Sequence, residues 1–167
     1  MPKKRSLFDG SAYKGYKVSI RLIREGLEDY EPVRLEGPED VYRFMGDLKD
    51  CDRERFYSLF LYNRNAVVSC EEISSGSPTS TLVHPREVFK SAFLCSSTAV
   101  ILVHNHPSGD PEPSFDDKAV IGRLYQCGDL LGIDVLDSII IGNGSYYSFK
   151  ERGLMDAYKA QRIALTR

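Results

Sequence analysis

The stretch that most limits how this chain can fold is Thr98 to Val103, a short run that is apolar on both of its faces. A strand with one wet side alternates apolar and polar residues. One that is apolar throughout sits in the interior of a sheet with both faces covered. The run leads directly into His104-Asn105-His106-Pro107-Ser108-Gly109-Asp110-Pro111-Glu112-Pro113-Ser114-Phe115-Asp116-Asp117, which holds two of the chain's 3 histidines. Both histidines are expected just beyond the end of that interior strand, the place where α/β folds tend to build their sites.

Residues two apart on extended backbone project to the same side, so His104 and His106 can reach one ion. Asp117 follows a loop carrying three prolines and a glycine, and can return a carboxylate to the same point. Two histidines and an aspartate with an open fourth position suit a catalytic zinc. Zinc would bring the pKa of a bound water from about 16 to about 7, and Ser114 can donate a hydrogen bond to a developing oxyanion. A metal-free reading fits the same letters. Ser114 and Asp117 also form an N-cap pair, stabilising a helix by about 1 kcal/mol, and the histidines can be turn residues bonded to backbone.

Around this stretch the chain predicts alternating elements. Met1 to Gly15 reads as a flexible lead-in, and Tyr16 to Leu22 alternates like a half-exposed strand. Pro38 opens a helix with Val41, Phe44, Met45 and Leu48 on one face. Arg55 to Tyr62 and Ala66 to Ile73 read as a hairpin turning at Asn63-Arg64-Asn65. Ser74 to Thr81 reads as loop and Pro85 to Leu94 as helix. Phe115 to Leu131 reads as a helix closed by Gly132, and Ile133 to Ile141 as a second apolar strand. Asn143-Gly144 is a hairpin turn into Tyr146 to Phe149. Ser148-Phe149-Lys150-Glu151 reads as a capping box opening a last helix through about Leu165. The sum is a mixed sheet covered by helices.

Composition excludes several classes. With 24 acidic and 22 basic residues the net charge is -2, which gives the chain as a whole no reason to coat nucleic acid. Only the first 17 residues are locally basic, through Lys3, Lys4, Arg5, Lys14 and Lys17, and they read either as a solvated tail or as a DNA-touching arm. No apolar run approaches a membrane span or a signal-peptide core, so the expected location is cytoplasmic. Cys51, Cys70, Cys95 and Cys127 form no C-x-x-C pair and read as buried thiols. His84 precedes Pro85 and reads as a turn residue. The H-x-E and P-C-x-x-C pattern of zinc deaminases is missing.

His104, His106, Ser114 and Asp117 form the pattern H-x-H-x7-S-x-x-D, which resembles the signature of the JAMM (MPN+) metalloproteases. The longer string His-Asn-His-Pro-Ser-Gly-Asp-Pro, with Val83-His84-Pro85-Arg86-Glu87-Val88-Phe89 upstream and Ile139-Ile140-Ile141-Gly142 downstream, resembles the RadC branch over about residues 52–153. The resemblance implies a cytidine-deaminase-like (JAB/MPN) α/β fold, residues 51–167, preceded by a small extension over residues 16–50. It implies zinc as cofactor, a protein or peptide-like substrate, and hydrolysis of a peptide, isopeptide or related amide bond. It also implies a glutamate base before an upstream strand, a position matched by Glu54, with Glu71, Glu72 and Glu87 as competitors. The chain departs from the family at Ser138, where relatives carry histidine, and residues 1–50 read as too short and too unlike the helix-hairpin-helix-like module of the long RadC proteins. Two other readings are a non-catalytic module bound to DNA or to a mobile-element complex, and a metal-dependent nuclease.

Overall fold

A computed structural model describes residues 33–76 and 83–165 of the chain. The lead-in, the strand expected at Tyr16 to Leu22 and the core of the serine-rich loop lie outside them. Five strands form one mixed sheet in the order β2-β1-β3-β4-β5. They are β1 (Glu54–Tyr62), β2 (Ala66–Gly76), β3 (Ala99–Asn105), β4 (Asp134–Ile141) and β5 (Tyr146–Ser148). Among the described residues four α-helices accompany them: α1 (Pro38–Phe44), α2 (Pro85–Leu94), α3 (Phe115–Leu131) and α4 (Leu154–Leu165).

Every residue of β3 is buried, as its two apolar faces require. It pairs antiparallel with β1 and parallel with β4. The parallel pairing demands a crossover, which α3 provides. Alternation then divides the core in two. Phe56, Phe60, Val100, Leu102 and Ile140 face α2, α3 and α4, where Val88, Phe89, Ala92, Ile121, Leu124, Met155 and Tyr158 pack on them. Leu59, Leu61, Ile101, Val103, Ile139 and Ile141 face the other way, against Leu35, Val41 and Leu48 from α1 and the 3-10 turn after it. Leu35, Val41 and Leu48 therefore pack the N-terminal segment 33–50 onto that face of the sheet.

Local chemistry sets most element ends. The β1–β2 turn places Arg64 and Asn65 at φ 59° and 55°. Gly132 closes α3 at φ 72°, a left-handed conformation that costs glycine little. Three expectations are corrected. β3 runs on through Asn105, so His104 belongs to the strand and only His106 lies past it. Ser74 to Gly76 continue β2, because the start of β1 offers ladder partners as far as the Glu54–Gly76 pair. The Ser148 hydroxyl does accept the Glu151 N–H at 3.0 Å, but α4 begins only at Leu154, after a turn in which Gly153 sits at φ 75°. The thiols also differ from expectation: Cys95 is buried, Cys51 and Cys127 are half-buried, and Cys70 is exposed on the edge strand. No helix among the described residues is long and apolar enough to cross a membrane.

Candidate metal centre

The site is assembled from one end of β3 and the first turn of α3. His104 is 1% exposed, and its ring stacks on Phe56, its partner across the ladder, at 5.6 Å between centroids and 15° between planes. His106 follows on the same side, with ring centroids 5.1 Å apart. Between His106 and α3 the loop is pinned to the end of β4. Gly109 N–H bonds to His106 O, and Asn143 N–H to Gly109 O, both at 2.9 Å. Gly142 permits this closeness, since a Cβ there would lie 2.6 Å from Gly109 O.

Asp117 arrives at the third position of α3, held by a capping box. Its N–H donates to Ser114 Oγ at 3.1 Å while the Ser114 N–H donates to Asp117 Oδ2 at 2.7 Å. The metal reading and the capping reading are therefore both satisfied by one arrangement. Asp117 Oδ1 lies 3.4 Å from His104 Nε2, and Oδ2 lies 3.5 Å from His106 Nε2. One donor atom from each of the three residues falls within a mutual 4.8 Å.

These residues fit a zinc ion on two grounds. Donor atoms at the usual zinc bond lengths around a tetrahedron are separated by about 3.4 Å, close to the contact each histidine makes with its own oxygen of the Asp117 carboxylate. His104 is also buried, with neither ring nitrogen hydrogen-bonded among the described residues. A buried polar group left this way is costly, and a ligand on Nε2 would relieve it. In His106 the Nδ1 lies 2.8 Å from the Asp110 carbonyl. That partner fixes a proton on Nδ1 and leaves Nε2 as the donor atom, the usual arrangement behind a metal-bound histidine.

Charge coupling follows from the packing. The Asp117 hydrogen bond raises the His106 pKa above its ordinary value, against the effect of burial, with Glu54 adding to the rise. Burial pushes the Asp117 carboxyl up, but His104, His106 and Ser114 outweigh it and hold that carboxyl far below the usual range.

Glu54 begins β1, two residues before Phe56, which pairs with His104 at the end of the ladder. It lines an open cleft of about 880 Å³ together with His106, Ser114 and Asp117. The competing glutamates are engaged elsewhere or point away. Glu72 takes the Tyr57 hydroxyl at 2.6 Å and Arg55 at 3.2 Å. Glu87 is paired with Arg86 and Lys90, and Glu71 lies along the edge strand without reaching the cleft. Ser114 Oγ donates to Asp117 Oδ2 at 2.6 Å. His84 is the N-cap residue of α2 and makes no side-chain cap bond. Ser138 is fully buried beside Leu102, its hydroxyl without a hydrogen bond among the described residues.

Asn105 is the residue that the sequence reading passed over. Its side chain reaches β1, accepting the Arg55 N–H at 2.9 Å and donating to the Arg53 carbonyl at 3.1 Å. The only signal in the sequence was its place between the two histidines.

Fold and site together define an α/β domain with a two-histidine, one-aspartate centre at the end of its central strand. Residues 35–154 match the RadC-like JAB domain model, and the chain belongs to that family. The match begins early enough to include α1. A UPF0758 protein of Methanosarcina mazei is 49% identical over 150 residues, spanning 87% of this chain and 66% of that protein. One of Desulforamulus reducens is 51% identical over 124 residues, spanning 74% of this chain and 55% of its own. One of Bacillus cereus is 42% identical over 139 residues, spanning 83% and 61%. The chain thus spans about two thirds or less of the length of these relatives.

Proposed function

We propose that this domain is a zinc-dependent hydrolase of peptide, isopeptide or related amide bonds, with His104, His106 and Asp117 holding the ion. The observation that carries this reading is the convergence of three donors within 4.8 Å of one another beside an open cleft, one of them a buried histidine with no hydrogen-bond partner among the described residues. Zinc, when bound, supplies the Lewis acidity that makes water a nucleophile at neutral pH and polarises a carbonyl. The rest falls to the protein.

Glu54, on the cleft wall with His106, is the general base, taking a proton at its carboxylate and returning it to the leaving amine. Ser114 stands on the α3 side of the cleft. Its hydroxyl currently donates to Asp117, so serving an oxyanion requires it to turn outward.

The charge of the cleft favours an amide over a phosphodiester. Among the described residues, Asp52, Glu54, Asp110, Glu112, Asp116 and Asp117 line it against one cation, Arg53, which is itself 3.3 Å from Asp52. A polyanion approaching such a wall is repelled. Metal analysis of protein purified without chelator, followed by a peptide and isopeptide cleavage screen with Glu54→Gln as control, tests the proposal. The expected result is about one zinc per chain and cleavage that the variant loses. Protein that neither carries stoichiometric metal nor binds it on titration defeats it.

A further inference from the structure

We infer that Asn105 is a positioning residue for Glu54, an inference that rests on Glu54 acting as the base. The ladder between β1 and β3 ends at the Phe56–His104 pair. One step beyond it the Asn105 side chain supplies the missing rungs, through its bonds to Arg55 N–H at 2.9 Å and Arg53 O at 3.1 Å. Those two groups belong to the peptide units on either side of the Glu54 Cα. A single side chain therefore fixes both planes that carry the Glu54 carboxylate.

The clamp is itself held. Asn105 is 0% exposed, its backbone is in register with Ile141 of β4, and the next residue donates its N–H to Ile141 O at 3.1 Å. The amide cannot turn over, since a flip would set its NH₂ against the Arg55 N–H and its oxygen against the Arg53 carbonyl. A base must be held within hydrogen-bond reach of its proton, and sites left unsupported lose that geometry. Here the His104-Asn105-His106 tripeptide does both tasks: the outer residues carry the two imidazoles, and the middle one anchors the carboxylate facing them. The separation of ligands from base is thereby set by three consecutive residues and two hydrogen bonds, not by loop packing.

If Asn105 only tidied the strand end, replacing it would lower stability and nothing more. A positioning role predicts coupling to Glu54, which can be read without knowing the substrate. The full chain is loaded with cobalt(II), and the pH inflection of its visible spectrum is measured. Glu54→Gln is expected to move the inflection by about one unit to lower pH, because a nearby negative charge is removed. Asn105→Leu is expected to move it in the same direction by a comparable amount, with cobalt affinity changed by less than about tenfold. In the Glu54→Gln background Asn105→Leu should add no further shift, the mark of two residues acting as one unit. Asn105→Ser is neutral like the parent but too short to span both bonds, so it should shift the inflection in the same direction, and it carries the test if the leucine variant does not fold. An unmoved inflection in both Asn105 variants, or shifts that simply add in the double variant, overturns the inference while the role of Glu54 stands. An inflection that Glu54→Gln itself leaves in place removes the base assignment, and this inference with it.

Discussion

Ser114 and Asp117 cap each other: the serine N–H and hydroxyl both donate to the aspartate Oδ2, at 2.7 and 2.6 Å, while the aspartate N–H donates to the serine oxygen at 3.1 Å. The bonds that start α3 are the same ones that orient the carboxylate toward His104 and His106. Ser114→Ala should therefore have two effects. Loss of the cap is expected to cost the metal-free protein about 1 kcal/mol in chemical denaturation. Loss of the support behind a ligand is expected to weaken zinc binding by about 10- to 100-fold in competition with a chelating dye. Unchanged zinc affinity would mean that Asp117 needs no help from its cap.

The two histidines should respond differently to removal. His106 is partly exposed, so His106→Ala is expected to abolish stoichiometric zinc while leaving the unfolding free energy within about 1 kcal/mol of the metal-free parent. His104 is buried against Phe56, and His104→Ala should lose the metal and also leave a void under that ring. Metal analysis beside thermal denaturation separates the two. Equal destabilisation by both would count against the packing role of His104.

The pH dependence of stability should change sign with metal. In the metal-free protein the His106 pKa is raised above 6.5 by Asp117, so its contribution is complete below that value and lost as pH rises through the folded pKa. The Asp117 carboxyl is depressed below 3.8, so its contribution is complete above that value and lost as pH falls. The pair thus stabilises metal-free protein most between roughly pH 4 and 6.5. Zinc requires neutral histidine, and protons compete with it below the raised His106 pKa. Melting curves on either side of neutrality, with and without zinc, should show the gain from metal widening as pH rises; a constant gain would contradict this.

Glu54→Gln should bind zinc normally and lose about 10²- to 10⁴-fold in amide hydrolysis. Glu72→Gln is the control. It removes the charge that meets Arg55 at 3.2 Å yet should leave both zinc content and turnover unchanged. Cleavage of nucleic acid that Glu54→Gln abolished would instead favour the nuclease reading.

Gly142→Ala probes the loop rather than the ligands. The new Cβ would sit 2.6 Å from Gly109 O and 2.8 Å from Pro111 Cδ. Backbone on one side and a proline ring on the other leave little room to yield. A loss of about 1–3 kcal/mol is expected on denaturation, as for other overpacked sites. Zinc binding should weaken with it, since the displaced loop carries the Asp110 carbonyl that holds His106.

By itself the sequence determined the elements whose physics is local. The apolar run into His104 marked a central strand, because only a strand covered on both sides tolerates it. The H-x-H spacing put two imidazoles on one side, and Ser114 to Asp117 gave the helix start, because strand alternation and N-capping act within a few residues. What only the tertiary structure decided depends on partners far along the chain. β2 gained Ser74 to Gly76 because β1 was there to pair with them, and the N-terminal segment 33–50 packed onto one sheet face through Leu35, Val41 and Leu48. Glu54 lines the cleft beside His106 while Glu71, Glu72 and Glu87 do not, a consequence of how β1, β2 and α2 pack that no local pattern encodes. Asn105 shows the limit most clearly: its two partners, Arg53 and Arg55, lie some fifty residues away at the entry to β1, and a buried amide reveals its role only when the backbone groups it satisfies are brought beside it.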